Sequence, residues 1–178
     1  MALGTGYDQQ GCFLARALEV VGERWTLLIV RDCFYGVRRF SDLLVHLDIS
    51  RAVLSSRLDS LVDAGVLTRA PGGHHAEYVL TEAGTALWPA VFALSKWGEQ
   101  YTNGDHPTRA FSHARCGTDI DDLGQCAACN VVPGPRDLVV RPGRGRNAAK
   151  RSDRVARALD RPHRMLTPVN TTGYTNDL

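Results

Sequence analysis

Two pairs of metal-type side chains stand close together in the second half of the chain: His113-x2-Cys116 and, after nine intervening residues, Cys126-x2-Cys129. Three thiolates and an imidazole make up a tetrahedral zinc set, and two tight pairs joined by a short loop are how a zinc knuckle closes. Residues 113–140 are rich in Gly and Pro and too poor in apolar side chains for a core of their own, the setting in which a bound ion supplies folding energy. The second pair fits this chemistry well; the first is unusual in that the histidine precedes the cysteine. A redox pair at Cys126 and Cys129 would need a strand and a helix around it, which the pattern lacks. Metal, redox pair and unliganded thiols all stay open at this level. Of the other cysteines, Cys33 lies in an apolar helical run and reads as a small buried hydrophobe. Cys12 sits at a helix start, where backbone amides favour the thiolate, so it is the candidate redox-sensing thiol, against a purely structural role.

A second chemistry is carried by residues 50–64. Leu54, Leu58, Leu61 and Val62 form one apolar stripe of a helix capped by Ser50 and ended by Gly65, with Ile49 placed to staple onto Leu54. The opposite face carries Ala52, Ser55, Ser56 and Asp59, flanked by Arg51 and Arg57. Small polar residues between arginines suit close approach to a groove lined with phosphates. Ser50, Arg51, Ser55 and Ser56 are the expected groove residues, with Arg51 able to pair bidentately with guanine. Arg57 belongs on the flank and is assigned to phosphate, or else to an internal pair with Asp59 or Asp42. Arg38, Arg39, Arg69, His74 and His75 are expected to position a duplex rather than to read it.

The elements that must position these groups emerge from periodicity. Leu14, Leu18, Val21 and Trp25 mark a first helix; Thr26 caps a second running to Phe34, with Gly36 as its stop; Ser41 caps a short third, Asp42 to Leu47. After the Ser50 helix the period changes, and Val66–Ala70 and Glu77–Leu80 read as two strands around a Pro71-Gly72-Gly73 turn. Thr81 then caps a long helix in which Pro89 marks a kink or the true start. Its stripe of Leu87, Val91, Leu94 and Tyr101, with Trp97 near the seam, has little of its own domain to cover it and is expected to form a dimer interface. The fold class is mainly α with a small β-hairpin wing (α+β): a dimeric winged helix-turn-helix, then a small Cys-rich, zinc-ribbon-like lobe, then a basic, mostly disordered tail. The boundaries are a flexible N-terminus over 1–10, the winged helix with its dimerisation helix over 11–104, the Cys-containing lobe over 113–140 and the tail over 141–178. On this division, truncation after Gly104 should leave DNA binding largely intact.

The same residues resemble a known family. Cys12-Phe13-Leu14-Ala15-Arg16-Ala17-Leu18 with Val21-Gly22-Glu23-Arg24-Trp25-Thr26, then Arg39-Phe40-Ser41-Asp42-Leu43, Leu54-Ser55-Ser56-Arg57-Leu58, Tyr78-Val79-Leu80-Thr81-Glu82-Ala83-Gly84 and Trp97-Gly98 match, in order, the pattern of the HxlR-type regulators among the MarR/HxlR-like bacterial winged helices. The resemblance runs from about residue 11 to 101. It implies a homodimer on double-stranded operator DNA, an interface built by the first and the long last helix, and in some members an oxidant- or electrophile-sensing cysteine at the position of Cys12; others answer to small molecules. Cys116-Gly117, Cys126-x2-Cys129 and Pro135-Arg136-Asp137 resemble the tail of some actinobacterial members.

Composition narrows the alternatives. The 178 residues are 44% hydrophobic and 22% charged, ordinary globular usage, with no apolar run long enough to span a membrane. Five cysteines fit a disulfide framework poorly, and Met1 to Gln10 lacks the features of a signal peptide, so a reducing, cytoplasmic setting with no membrane partner is expected. Residues 141–164 hold nine basic side chains against Asp153 and Asp160, so this segment is +7 within a chain of net +2. No phosphate loop, nucleophile elbow or paired carboxylates stand out, and an enzyme is not expected. The expected function is sequence-specific transcriptional regulation, as a repressor on a palindromic operator, with no cofactor needed for DNA binding, zinc in the C-terminal lobe and a small molecule, oxidant or electrophile as signal. The alternative is a metal- or redox-active interaction module that binds protein rather than DNA.

Overall fold

The computed structural model describes residues 6–7, 11–72, 76–102, 106–146 and 151–172. Four helices come first: α1 (Phe13–Val21), α2 (Thr26–Phe34), α3 (Phe40–Leu47) and α4 (Arg51–Asp63). The antiparallel strands β1 (Leu67–Ala70) and β2 (Glu77–Leu80) pair with Leu67 opposite Leu80 and Ala70 opposite Glu77, forming the wing. Then come the single turn α5 (Glu82–Thr85) and α6 (Trp88–Tyr101). Pro89 stands in the first turn of α6, where its missing N–H has no partner to lose, so it starts the helix and does not kink it.

Local chemistry fixes most boundaries. Gly22 ends α1 by donating to the Leu18 carbonyl at 2.7 Å. The Ser50 hydroxyl caps α4 by accepting from the Val53 amide at 3.3 Å, and Gly65, at φ 70°, supplies the left-handed residue after it. Two helix starts differ from expectation. Trp25, not Thr26, is the N-cap of α2, with φ 78°. In addition, α3 begins at Phe40, before the expected Ser41 cap, because Arg39 is held extended by a β-bridge to Glu77. Gly84 is required where α5 crosses the start of the wing: a Cβ there would lie 2.1 Å from the Val66 carbonyl oxygen. Thr81 ties the same corner, accepting from the Gly84 amide at 3.1 Å and donating to the Gly65 carbonyl at 2.6 Å.

The C-terminal part corrects the expected division. β3 (Arg109–His113), β4 (Leu138–Pro142) and β5 (His163–Arg164) form an antiparallel sheet in the order β3-β4-β5, and α7 (Arg154–Ala158) packs on α3. Phe111, Leu138, Val140, Val155, Leu159 and Met165 are buried in one continuous core with Ile29, Phe34, Leu54 and Leu58. The winged helix and the segment C-terminal to it are therefore not separate layers. The region from 141 onward is not a disordered tail over its described residues: 151–172 fold back across α2 and α3. The Leu166 amide donates to Phe34 (2.8 Å) and the Val169 amide to Gly36 (3.0 Å). Gly36, at φ 85°, sits so close under this strap that a Cβ would lie 1.8 Å from the Thr167 carbonyl oxygen. Much of the basic charge is neutralised internally, Arg154 on Asp42 (2.7 Å), Arg146 on Asp160 (2.7 Å) and Arg141 on Asp119 (2.5 Å). Truncation after Gly104 would uncover Tyr35, Trp88 and Phe92, which Phe111 of β3 covers in the full chain.

Phe111 measures this integration. Its ring lies 5.3 Å from Trp88, 5.7 Å from Phe92 and 6.3 Å from Tyr35. Phe111→Ala is expected to lower unfolding free energy by about 3–5 kcal/mol, the range for a buried phenyl ring. Denaturant unfolding monitored by tryptophan fluorescence and by far-UV dichroism should shift together. A loss below about 1 kcal/mol would mean that β3 is not part of the helical core.

Candidate nucleic-acid interface and metal centre

Helix α4 buries Leu54, Leu58 and Leu61 and exposes Arg51, Ala52, Val53, Ser55, Ser56 and Asp59. It comes after α3 with only Asp48, Ile49 and Ser50 between, and Asp48, in the left-handed region at φ 52°, turns the chain sharply. The first turn of α4 contains no acidic residue, so its amides and dipole present a positive end. Arg51 rests its guanidinium over the Phe40 ring at 5.3 Å, a shelf that narrows where the side chain can go. Ser50, Arg51, Ser55 and Ser56 therefore share one exposed front, as their spacing predicts.

The flanking cations are more engaged than their sequence positions suggest. Arg57 pairs with Glu23 at 3.2 Å, neither Asp59 nor Asp42 being its partner, and its Nε is buried without a hydrogen bond among the described residues. Arg69 pairs with Asp59 at 2.5 Å and lies over Tyr78. Glu77 sits between Arg38 (3.9 Å) and Arg39 (3.7 Å), and Arg38 also donates to the Leu166 carbonyl at 2.5 Å, which makes it part of the strap's anchorage. Arg39 and Arg69 remain solvent-facing beside α4, whereas Arg38 is half-buried. His74 and His75 lie outside the described residues. Phe40, Glu23 and Glu77 were missed by sequence reasoning, because their partners come from other elements and leave no periodic signal.

The expected dimer residues divide. Val91 is buried in the chain's own core and Leu87 packs half-buried against it. Leu94, Trp97 and Tyr101 are 54%, 58% and 64% exposed, and the Trp97 and Tyr101 rings lie 5.7 Å apart. Phe13, Leu14 and Leu18 on α1 are exposed as well. Cys12 is exposed at the N-cap of α1, while Cys33 is buried and its thiol pKa pushed far up by desolvation, which suits an inert core residue.

His113, Cys116, Cys126 and Cys129 come together, one ligand atom from each lying within 4.8 Å of the others. His113 ends β3 and is buried; Cys116 stands in the next turn. The two turns are built alike. The Cys116 amide donates to the His113 carbonyl (3.2 Å) and the Cys129 amide to the Cys126 carbonyl (3.3 Å). Cys116 and Cys129 are each succeeded by a left-handed residue, Gly117 at φ 74° and Asn130 at φ 52°. The Cys116 and Cys126 sulfurs are 3.4 Å apart, and Cys116 Sγ is 3.6 Å from His113 Nδ1. Zinc–sulfur bonds of about 2.3 Å arranged tetrahedrally separate two sulfurs by about 3.8 Å, so the donor set fits one small ion. Hydrogen bonds from the Thr118 hydroxyl and amide bring the Cys116 thiol down to about 6. The Cys129 thiol is pushed up to about 11, first by its hydrogen bond with Cys116. The set can bind a metal.

Among the described residues, no helix is long and apolar enough to cross a membrane. Residues 20–106 match the model of the HxlR-like helix-turn-helix family. The chain is 42% identical over 140 residues to the HTH-type transcriptional regulator Rv3095 of Mycobacterium tuberculosis, covering 76% of this chain and 89% of that protein. A continuous span of that size necessarily takes in the Cys/His segment. YvaP of Bacillus subtilis, another HTH-type transcriptional regulator, is 36% identical over 90 residues, 48% of this chain and 83% of its own. The crystal structure of PA1607, assigned as a transcription factor, superposes with a TM-score of 0.51 at 43% identity, over 53% of this chain and 68% of that one. With the wing, the capped α4 and the family motifs in register, the chain belongs to the HxlR-like helix-turn-helix family of transcriptional regulators.

Proposed function

We propose that the chain is a homodimeric repressor that binds a palindromic operator, with α4 of each protomer in a major groove and the wing beside the adjacent backbone. The observation that carries this is the exposed front of α4: Ser50, Arg51, Ser55 and Ser56 beside a helix start without acidic residues. Arg51 is the base-reading residue; Arg39 and Arg69 orient the duplex. Arg57, shared with Glu23, braces α4 against the α1–α2 connection and adds only part of its charge to the DNA. His113, Cys116, Cys126 and Cys129 hold one zinc ion in a structural role, and the protein acts by binding rather than by a catalytic step.

The test is binding-site selection and then titration of the selected duplex and of random DNA. Arg51→Ala is expected to weaken binding to the selected site by about 1–3 kcal/mol and to leave random DNA almost unaffected, since base contacts specify and phosphate contacts position. The wild type should also show a steep fall of affinity with salt, from counterion release. If Arg51→Ala changes neither affinity nor selectivity, α4 is not the reading head.

A further inference from the structure

A cavity of about 430 Å³ opens between α2, α6, β3 and the C-terminal segment, within the size range of small-molecule sites. Four guanidiniums line it, those of Arg31, Arg109, Arg146 and Arg151, together with the aromatic rings of Trp25, Tyr35 and Phe111. We propose that this cavity binds a small organic anion, an oxyanion head on an aromatic body, and that it is the site through which the regulator receives its signal. The signalling role rests on the regulator reading above; the binding site does not.

The charges in the wall are unequally satisfied. Arg31 donates twice to the buried Asp32 (2.9 and 2.7 Å), and Arg146 is held by Asp160 (2.7 and 3.0 Å). The acid in the lining, Glu99, is already 2.8 Å from Lys96. Arg109 and Arg151 have no carboxylate within ion-pair distance among the described residues. Arg109 donates to the Leu159 carbonyl at 2.5 Å, and Arg151 to the His46 carbonyl. A guanidinium has five donors in a planar fork, so each has donors beyond its carbonyl bond to offer a ligand. Burial draws Arg109 below its ordinary pKa, and repulsion from Arg146 and Arg31 adds to this. An oxyanion among these groups would relieve that repulsion with paired, charge-assisted hydrogen bonds. The apolar part of the ligand would lie against Tyr35, Phe111 and Trp25. Trp25 forms its part of the wall in the left-handed region, at φ 78°, which is uncommon for a bulky residue and typical of places where a side chain is aimed for a purpose.

The position of the cavity supplies the coupling. Leu28 and Arg31 lie on α2 and Tyr35 is its C-cap, Ser95 and Glu99 belong to α6, and His46 and Leu47 lie in the last turn of α3. Arg151 grips the His46 carbonyl just ahead of the turn that launches α4. A ligand drawn onto Arg109 and Arg151 therefore pulls on the helix that sets the angle of α4 and, through Ser95 and Glu99, on the helix expected at the dimer seam.

The experiment titrates the full-length protein by calorimetry with 2-naphthoate, its neutral amide 2-naphthamide, and phenyl phosphate, then repeats this with Arg109→Gln and Arg151→Gln. At least one of the two anions should bind at least tenfold more tightly than the amide, and either substitution should remove that advantage; which anion is preferred identifies a carboxylate or a phosphate head. Thermal melts of each variant check folding, and Arg151, being exposed, provides a variant that leaves the core alone. Saturating anion should change affinity for the selected operator at least threefold. Neither anion outbinding the amide, or both variants binding like wild type, would overturn the site; binding without any change in operator affinity would overturn the signalling role. A protein that binds the anion but no DNA would leave the site standing and defeat the regulator reading instead.

Discussion

Serine in place of Cys126 should empty the metal centre and loosen the whole C-terminal half, not the Cys/His turns alone. Cys126 is fully buried, its sulfur lies 3.4 Å from that of Cys116, and its backbone bridges to both Ile120 and Val131, so it is the hub on which the two turns close. A hydroxyl there is a far poorer zinc ligand than a thiolate, and three remaining donors do not make a closed structural site. His113 is two residues from Phe111 along β3, and Phe111 is packed among Trp88, Phe92 and Tyr35. Slack at the metal therefore reaches the aromatic cluster directly.

Elemental analysis of wild-type protein purified without chelator should give about one zinc per chain, falling to under a tenth in Cys126→Ser. A stability loss of about 3–5 kcal/mol is expected, in the range for removing a structural metal or a buried network. For a domain of this size that is a drop in Tm of roughly 10 °C. Because the core is continuous, calorimetry should show one transition moving as a whole. Wild-type protein purified without chelator and found free of metal, with Cys116, Cys126 and Cys129 open to thiol reagents, would remove the zinc assignment.

The two halves of the chain were not equally legible from sequence, and the reason is the range of the interactions that fold them. The Ser50 cap, the Gly65 stop, the Leu54–Leu58–Leu61 stripe and the wing strands are encoded within a few consecutive residues, and all stand where local rules put them. The metal quartet is likewise written in two short spacings, and the structure brings its four donors together. Residues 141–172 carry the opposite kind of information. Val155, Leu159 and Met165 are too few to show a stripe, and the surface they bury is on α2 and α3. Arg154 finds Asp42 across a separation of 112 residues, so a segment that looks like a solvated basic run has in fact its counter-charges built in elsewhere. Arg57 teaches the same lesson on a smaller scale. A helical wheel gives its direction and says nothing of Glu23, which waits on the connection between α1 and α2. The cavity was invisible for this reason too, being assembled from α2, α3, α6, β3 and the strap.

Aspartate at Leu94 should separate the protomers without disturbing either one. Leu94 is more than half exposed on α6, beside Trp97 and Tyr101, whose rings lie 5.7 Å apart at a tilt of 38° and remain largely uncovered by the described residues. Val91 and Leu87, on the inner side of the same helix, already belong to the core, so the outer residues are surplus to the monomer's own packing. Aromatic side chains of this kind bury roughly 150–250 Å² each, worth about 25 cal/mol per Å². A symmetric pair of such faces, joined by Phe13, Leu14 and Leu18 of α1, would supply a seam of ordinary size, about 800 Å² per partner. Two-fold symmetry then places a substitution in the seam twice, and two carboxylates brought together out of water oppose association by both desolvation and repulsion. Sedimentation should find the wild type dimeric at micromolar concentration and Leu94→Asp monomeric, with unchanged helical dichroism. The DNA consequence is larger than that of any single contact. A dimer presents its two α4 helices to half-sites about 34–36 Å apart, so the second binds at the high effective concentration set by the first. Losing that link should weaken binding to the full palindrome by about 10²–10⁴-fold and leave binding to an isolated half-site as it was. A wild type that sediments as a monomer, or a Leu94→Asp protein that stays dimeric and fully competent on the palindrome, would place the seam elsewhere.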